Sequence, residues 1–425
     1  MVTNNNTTNN INYLTSISYS QAQKIIRAKA EEIFNSSPEV VDINNCLNRV
    51  LATEVYAKIN VPAYENSAMD GYAIRYSDLA EKKQGWLTLQ KPQYAGSSVQ
   101  QILAEDSAVP VMTGALIPTG ANTIVVKEHS QIKDDKVHLR DIGQKGDYIR
   151  HIGADIKADS KIINQNVRLK AQDIGLISSV GCQKIAVYPK TKIVLFTGGD
   201  EVIQVGQALE QGKVYDSVRP TLKGLLQSQN CEIIHVGSLK DDPQQIKQTL
   251  DKYAQPNTVI ICNGGVSAGD KDYVLKVMQE YGEIVFHKVN IKPGFPLLFG
   301  QYNKALFFGL PGNPVSSFTN FCQFVIPTLR ILEGEEIIPT GFIRAKMTKS
   351  YSKQHYRREF VRARLSYDAT IGFEVSITGN QSSGRLTSVT QANCFIIFNE
   401  TPADLHAGDK VNVQRFVDLL YPHLI

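Results

Sequence analysis

Three apolar segments of the sequence each end in a glycine-rich loop that carries acidic residues or prolines. The most informative is Thr258 to Asp272, TVIICNGGVSAGDKD, in which an apolar run leads directly into glycines and two carboxylates. Lys192 to Glu201 reads KIVLFTGGDE, and Ala305 to Pro314 reads ALFFGLPGNP. In an open α/β sheet, ligands bind beyond the carboxyl ends of the strands, where loops of small residues let backbone amides approach an anion. The three segments therefore predict one shared pocket.

Five carboxylates are expected to project from the same edge of this sheet. Without a counter-charge such groups repel one another and raise each other's pKa values, so a cation is expected among them. Hard oxygen donors without a histidine or thiolate cluster favour Mg²⁺, which commonly binds through one or two carboxylates and substrate phosphates. The five residues are Asp200, Glu201, Asp242, Asp270 and Asp272.

Two of the loops contain residues that let a ligand come close to the backbone. In one, small residues follow the apolar run TVIICN. In the other, prolines fix two backbone dihedrals and a glycine frees one, so a rigid turn presents its amides just before a helix. Anion binding and a plain strand-to-helix turn are both compatible with this second loop. The candidate binding residues are Gly264, Gly265, Ser267, Pro311, Gly312, Asn313 and Pro314.

Two lysines follow the next predicted strand. Lys288 and Lys292 belong to HKVNIKPG and could clamp a phosphate or another oxyanion. Taken singly, each is more ordinarily a surface lysine lying over apolar neighbours. The lysines are therefore candidates only in combination with the acidic loops.

Three shorter segments carry polar groups but are weak in isolation. Asp70 in PAYENSAMDGY fits an Asp-Gly turn, Thr113 lies beside a glycine in VMTGA, and Asp155 ends RHIGAD, which is typical of a solvated loop. None of the three predicts a functional site by itself.

The N-terminal half of the chain combines helical and β-prone stretches. An amphipathic helix with a serine cap begins at Ser20, and LKAQDIGLISSVG is again helical and is expected to pack against it. Between them lie short β-prone pieces such as GWLTLQ, TIVVKE and KVHLR, separated by turn residues. The β-prone part is therefore predicted to be an insertion.

The C-terminal half changes its pattern once. From Lys192, apolar strands alternate with helices, including one that starts at Asp242-Pro243, which predicts a doubly wound parallel sheet covered on both faces. Beyond Pro339 the segments alternate polar and apolar residues, which predicts a β module of small-barrel or sandwich size. The predicted modules are residues 1–60 with 148–188, residues 61–147, residues 189–337 and residues 338–425.

Composition excludes several classes of protein. With 42% hydrophobic and 20% charged residues among 425, the chain is expected to fold into several globular domains. A net charge of +4 gives no basic field for nucleic acid, and no apolar run reaches the length of a membrane span. The six cysteines form no CxxC pair, and the first residues lack the regions of a signal peptide. A cytoplasmic protein without nucleic-acid or membrane partners is expected.

Taken in order along the chain, nine motifs resemble those of the molybdopterin molybdenumtransferases, the MoeA family, which is related to the C-terminal domain of gephyrin. The resemblance covers nearly the whole chain. It implies a multidomain α/β plus β protein with an elongated helical region, an inserted β domain, a molybdopterin-binding α/β domain and a C-terminal β barrel. The motifs are NSAMDGYA, MTGA, RHIGAD, TGGDE, YDS, DDP, NGGVSAGDKDY, KVNIKPG and GLPGNPVS.

The resemblance also implies an activity: molybdate is inserted into adenylylated molybdopterin, with Mg²⁺-dependent cleavage of the phosphoanhydride and release of AMP. It implies a homodimer in which the NSAMDG segment of one subunit approaches the α/β domain of the other. A molybdopterin adenylyltransferase and recipient molybdoenzymes are the expected partners. By resemblance, Thr113, Lys288 and Lys292 join the binding residues. The implied catalytic residues are Asp70, Asp155, Glu201, Asp242 and Asp272, and the implied metal ligands are Glu201, Asp242, Asp270 and Asp272.

The sequence departs from the family pattern at three places. Phe295 stands in KPGFP where the family usually has a lysine, Val218 stands where asparagine is usual, and TGGDE replaces STGDE. Two alternatives to metal insertion stay open: adenylyl transfer from ATP to molybdopterin, and a pterin-binding scaffold with weakened catalysis. A shifted oxyanion preference, for instance for tungstate, is a further alternative.

Overall fold

A computed structural model of the chain shows a central mixed sheet covered by helices, a module built on paired ribbons, an inserted β sheet and a closed C-terminal barrel. None of the helices in the ranges given below is long and apolar enough to cross a membrane. Asp200 and Asp270, two of the predicted site carboxylates, lie outside the described residues. The structure describes residues 13–80, 85–199, 201–267, 272–336 and 341–420.

Within those ranges, the central sheet has seven strands. All neighbours run parallel except at Leu298–Tyr302, which is antiparallel to the strands on both sides. The predicted helix-covered parallel sheet is confirmed for its centre, and the reversed strand is an addition to it. In sheet order the strands are Leu14–Ile17, Glu283–Val289, Leu298–Tyr302, Ala305–Leu310, Thr258–Asn263, Lys192–Gly198 and Glu232–Leu239.

The strand Thr258–Asn263 shows why the sheet needs continuous apolar runs. All its residues are buried. Val259 and Ile261 pack into one apolar cluster while Ile260 and Cys262 pack into another, because successive side chains point to opposite faces. Helices cover both clusters. On the first face they are Tyr19–Ile33, Val218–Gln227, Pro314–Asn320 and Ile326–Leu332, the last two joined by a π-helical turn, and on the second Pro243–Tyr253 and Tyr273–Tyr281.

Local sequence explains where two of these helices begin. Ser18 caps the first helix: its hydroxyl accepts from the Gln21 amide at 3.2 Å, and the Gln21 side chain accepts from the Ser18 amide at 3.0 Å. The cap is therefore Ser18 and not Ser20. Asp242 caps Pro243–Tyr253 as predicted, because its carboxylate accepts amide hydrogens while proline needs no donor at the first position.

The first helix does not pack against the helix Ala171–Ser179, which corrects the expected pairing. The strand Leu14–Ile17 pairs with Glu283–Val289 at the edge of the central sheet and carries the following helix onto that sheet, where it packs against Ile326–Leu332. Ala171–Ser179 instead contributes Ile177 to a separate apolar cluster.

Paired ribbons lead from that separate cluster to the inserted sheet. The chain leaves and returns along antiparallel partners, which is the topology of an insertion. The pairs are Glu39–Asp42 with Lys184–Val187, Val55–Tyr56 with Lys161–Ile163, and Asn66–Ser67 with Ile149–Arg150. In order, the inserted sheet contains Thr123–Val126, Gly71–Ile74, Ser107–Val111, Trp86–Leu89, Lys136–Leu139 and Ser130–Lys133, with the short helix Tyr76–Ala80 beside it.

A barrel closes near the C-terminus, because each of its five strands pairs with two others. The short strand Ile291–Lys292 pairs in parallel with the barrel strand Arg358–Asp368 and so joins the barrel to the α/β module. The barrel strands are Ile343–Met347, Arg358–Asp368, Gly372–Ile377, Cys394–Phe398 and Lys410–Arg415, accompanied by the ribbon Tyr351–Lys353 with Ala403–Leu405 and the helices Thr387–Thr390 and Phe416–Leu420.

Candidate active site

A cleft of about 1040 Å³ opens at the carboxyl edge of the central sheet. Residues from the loops after Lys192–Gly198, Thr258–Asn263 and Ala305–Leu310 line it together. A fourth segment, residues 211–218, also lines the cleft and is named the strap here; it pairs through Val214–Tyr215 with Val202–Ile203. Segments far apart in the chain meet because the parallel strands end at one edge.

The loop after Thr258–Asn263 needs its glycines. Gly264 and Gly265 have φ angles of +90° and +69°, where other residues are strained. A Cβ on Gly264 would lie 2.9 Å from the Gly198 carbonyl oxygen, so two of the cleft loops touch there through their backbones. Ser267 follows and lines the cleft. Below the loop, the buried His287 places Nε2 2.7 Å from the Val266 carbonyl oxygen, and burial lowers the pKa of its imidazole.

The proline turn is held from beneath by Asn263. The Asn263 amide nitrogen donates to the Pro311 carbonyl at 2.6 Å and to the Ser317 hydroxyl at 2.7 Å. The Ser317 hydroxyl also donates to the Pro311 carbonyl. Residues 311–314 all line the cleft. The end of one strand therefore fixes the loop of its neighbour.

Four described carboxylates line the cleft: Asp216 of the strap, and Glu201, Asp241 and Asp272 from the loops at the sheet edge. Asp272 lies at the start of the helix Tyr273–Tyr281 and makes no side-chain capping bond to it. Glu201 and Asp272 are residues that the sequence singled out, and the structure brings them together.

Asp241 is a residue that the sequence reasoning missed, since it selected the neighbouring Asp242. Asp242 Oδ1 accepts the amides of Gln244 and Gln245, each at 2.9 Å, so its carboxylate is committed to the helix start, and it does not line the cleft. The DDP motif contains the signal that separates the two: the aspartate directly before a proline is the better cap.

The cleft carboxylates suit a metal ion that substrate helps to hold. In the described part of the chain, no three histidine, cysteine, aspartate or glutamate side chains are close enough together to hold an ion by themselves. Mg²⁺ commonly uses one or two protein carboxylates and completes its octahedron with water and substrate phosphates. Glu201, Asp241 and Asp272 therefore fit Mg²⁺ in that arrangement and do not form a self-contained metal centre.

The predicted lysines do not line the cleft. Lys292 Nζ lies 2.9 Å from Glu359 Oε1, a barrel carboxylate whose side chain is 3% exposed. The backbone amide of Lys288, in the strand Glu283–Val289, donates to the Leu297 carbonyl at 2.8 Å. Among the residues that the structure describes, the cation that lines the cleft is instead Lys213 of the strap. Lys213 lies two residues before the YDS motif, but an isolated lysine in a polar segment carries no signal of its own in the sequence.

Two of the three departures from the family pattern, Phe295 and Val218, lie at or beside the cleft. Phe295 stacks under the guanidinium of Arg357 from the barrel, 4.1 Å from the ring centre, and the next residue, Pro296, lines the cleft. Val218 lines the cleft as well and is 7% exposed, at the first position of the helix Val218–Gln227.

Asp70, Thr113 and Asp155 lie outside the cleft of their own chain. Asp70 Oδ1 accepts the amide and the hydroxyl of Thr113 at 2.8 and 2.9 Å, and Lys127 Nζ lies 3.6 Å from Oδ2. The Thr113 hydrogen bonds, followed by the charge of Lys127, lower the pKa of Asp70. Asp155 is exposed, and its amide donates to the Val61 carbonyl at 3.0 Å. The structure joins Asp70 with Thr113 but leaves both apart from the acidic loops.

Three protein-family descriptions match successive parts of the chain. The MoeA N-terminal region (domain I and II) matches residues 17–181, a probable molybdopterin binding domain matches residues 194–331, and the MoeA C-terminal region (domain IV) matches residues 344–416. A solved structure of the molybdopterin biosynthesis MoeA protein from Pyrococcus horikoshii OT3 superposes with a TM-score of 0.77 at 26% identity, covering 94% of this chain and 100% of that one.

Curated relatives cover most of the chain. It is 33% identical over 390 residues to a molybdopterin molybdenumtransferase of Haemophilus influenzae, covering 91% of this chain and 96% of the relative. Identity to gephyrin of Dictyostelium discoideum is 30% over 438 residues, covering 92% of this chain and 61% of the relative. Together with the three domain matches and the cleft, these similarities show that the chain belongs to the MoeA family of molybdopterin molybdenumtransferases, enzymes of molybdenum cofactor biosynthesis.

Proposed function

We propose that this enzyme inserts molybdate into adenylylated molybdopterin with Mg²⁺-dependent release of AMP, and that the reaction takes place in the cleft. The observation that carries the proposal is the meeting of Glu201, Asp241 and Asp272 with two rigid loops in one cavity of about 1040 Å³. Small-molecule sites typically enclose roughly 300–1,000 Å³, so a pterin nucleotide can be accommodated.

The chemistry assigns different roles to the residues around the cleft. Water adds to a phosphorus atom of the phosphoanhydride and AMP leaves. The two dithiolene thiols displace an oxo ligand of molybdate, which departs as water with the two thiol protons, and molybdenum keeps its oxidation state. Mg²⁺, when bound, neutralises phosphate charge, and Glu201, Asp241 and Asp272 would hold it. The amides of the Gly264 loop and the ammonium group of Lys213 add fixed positive potential where the phosphates lie.

We propose that a second copy of the chain completes the site. Asp70, Thr113 and Asp155 are polar groups that do not line the cleft of their own chain, and the Thr113 hydrogen bonds lower the pKa of the partly exposed Asp70. In a homodimer that brings this region to the partner's cleft, these three polar groups face the substrate bound there. Mixing Asp70→Asn and Asp272→Asn subunits tests this, because random pairing leaves one intact site in half of the dimers and restores about a quarter of full activity. No recovery after mixing contradicts a shared site.

The proposed reaction is tested by incubating the purified chain with adenylylated molybdopterin, molybdate and Mg²⁺. AMP is measured by chromatography, and active cofactor by reconstitution of an apo-molybdoenzyme. AMP release that needs both Mg²⁺ and molybdate supports the proposal, and release no faster than in buffer contradicts it. Pyrophosphate formed from ATP and molybdopterin would indicate adenylyl transfer, and pterin binding without turnover would indicate a scaffold. Tungstate in place of molybdate tests the oxyanion preference.

The setting of the enzyme is also a proposal. We expect it to act in the cytoplasm, where its six cysteines, all free thiols, stay reduced. The reaction requires an adenylyltransferase that supplies the pterin nucleotide and apo-molybdoenzymes that accept the finished cofactor.

A further inference from the structure

Arg219 does not line the cleft, yet it contacts three of the segments that form it. Its Nε donates to the Thr197 hydroxyl at 2.9 Å and lies 3.0 Å from Asp216 Oδ2, and its Nη2 donates to the Ser238 hydroxyl. Its backbone amide donates to Asp216 Oδ1 at 2.9 Å, and the Thr197 hydroxyl donates to Asp216 Oδ2 at 2.8 Å. One guanidinium therefore joins two strand ends to the strap.

These contacts lie directly before the acidic loops. Thr197 is near the end of the strand that leads to Glu201, and Ser238 is near the end of the strand that leads to Asp241. Asp216 belongs to the strap and lines the cleft. A shift of the guanidinium would therefore change the separation of Glu201 and Asp241 and the position of the strap.

The network needs an arginine. Asp216 is 7% exposed, and a buried carboxylate requires a paired charge and hydrogen bonds. Arginine offers donors in a fixed planar fork that can serve several acceptors at once, whereas lysine is a flexible point charge. Without the fork, Asp216 keeps only the Thr197 hydroxyl and the backbone amide of residue 219 as donors, and the strap is expected to move so that water can replace the lost guanidinium.

Resting on the proposed function, we propose that Arg219 is a positioning residue of the pterin-nucleotide site, which sets the spacing of the Glu201 and Asp241 loops and holds the strap in place. It touches neither substrate nor metal. A role in stability alone lowers the melting temperature and leaves substrate affinity of the folded enzyme unchanged. A positioning role changes substrate affinity.

The test uses the full chain with Arg219→Lys, which keeps the charge, and Ser238→Ala, which removes one exposed acceptor. Arg415→Lys is the matched control, since Arg415 forms an aspartate pair of the same spacing, at 2.9 and 2.6 Å, in the C-terminal module. Calorimetry measures binding of adenylylated molybdopterin without Mg²⁺ or molybdate, kinetics separate KM from kcat, and hydrogen exchange follows the strap amides.

Arg219→Lys is expected to weaken binding about tenfold, as loss of an outer partner of a site typically does, with a larger change in KM than in kcat. Ser238→Ala is expected to weaken binding roughly twofold, since it removes a single hydrogen bond. Strap exchange should accelerate in both, and Arg415→Lys should match the wild type. Wild-type affinity and wild-type strap exchange in both variants would overturn the inference, and Ser238→Ala decides alone if Arg219→Lys does not fold. If the wild-type enzyme neither binds nor turns over the nucleotide, the proposed function itself is refuted. That result differs from the one that overturns the inference, in which the wild type and both variants bind equally well.

Discussion

Two adjacent aspartates should respond in opposite ways to substitution. The Asp242 carboxylate accepts hydrogen bonds from two backbone amides, each at 2.9 Å, at a helix start. Asp242→Ala is therefore expected to lower the free energy of unfolding by about 1 kcal/mol. That loss corresponds to a fall of roughly 2–4 °C in melting temperature for a domain of 150–250 residues. Asp241 lines the cleft, and Asp241→Asn keeps its shape while removing the charge that would face Mg²⁺. We expect it to lower the rate of AMP release about 10–100-fold or more, with its main effect on activity and not on the melting temperature.

The assay compares AMP release and melting temperature across Asp241→Asn, Asp242→Ala and Asp242→Asn. The last is the matched control, because asparagine caps a helix about as well as aspartate. It should match the wild type in both measurements, and extra Mg²⁺ should partly restore Asp241→Asn. Full activity in Asp241→Asn together with a large loss in Asp242→Asn would refute the assignment and restore the choice made from sequence alone.

Three further perturbations follow from the structure. Gly264→Ala is expected to destabilise the enzyme by about 1–3 kcal/mol in denaturant titrations, because its φ of +90° is strained for alanine and the new Cβ meets a backbone oxygen at 2.9 Å. Thr113→Val should raise the pKa of Asp70 towards its ordinary value in an NMR titration, since the hydroxyl bond is lost. The Asp70 carboxylate stabilises the fold at pH values above its pKa in the unfolded chain, and this stabilisation is lost as the pH falls through its lower pKa in the folded protein. Because Thr113→Val raises the folded pKa, the variant loses the stabilisation at a higher pH than the wild type. Phe295→Ala removes a cation–π contact worth about 0.5–1 kcal/mol and should lower the melting temperature slightly.

Each of the three has a control in the chain. Gly224→Ala lies in a helix, its new Cβ meets nothing within 4 Å beyond its chain neighbours and the helix's own backbone, and the change is expected to stabilise the protein by about 0.5–1 kcal/mol. Asp368, whose pKa backbone amides lower, should titrate identically with and without Thr113→Val. Phe295→Tyr keeps the ring and should behave as the wild type. A stable Gly264→Ala, an unmoved Asp70 pKa or an equally affected Phe295→Tyr would each contradict the corresponding reasoning.

Much of the α/β module could be predicted because its signals are local. The apolar run of Thr258–Asn263 identifies a strand buried on both faces, and the Asp-Pro pair identifies a helix start. The rule that parallel strands end at one edge then gathers three loops into one cleft. Glu201 and Asp272 follow from that rule without any knowledge of the side-chain contacts.

What could not be predicted depends on contacts between distant segments. The edge position of Leu14–Ile17 is decided by pairing with a strand far along the chain. Lys292 forms an ion pair with the buried Glu359 of another module, and no local sequence pattern predicts this pairing. In the sequence, Arg219 looks like an ordinary helix residue. Its hydrogen-bond acceptors, the Thr197 and Ser238 hydroxyls, come within reach only in the folded chain.

The edge strand Leu14–Ile17 has a consequence for how the protein is made. Leu14 pairs with Phe286, so the first strand cannot join the sheet until about 270 further residues have been synthesised. At a translation rate of about 5–20 residues per second, this takes roughly 14–54 s. Until Phe286 has been synthesised, the modules in between fold on the ribosome while the first strand is still unpaired. A fragment cut out from residue 189 onward would also leave the backbone of Glu283–Val289 open on one side, an edge that invites aggregation.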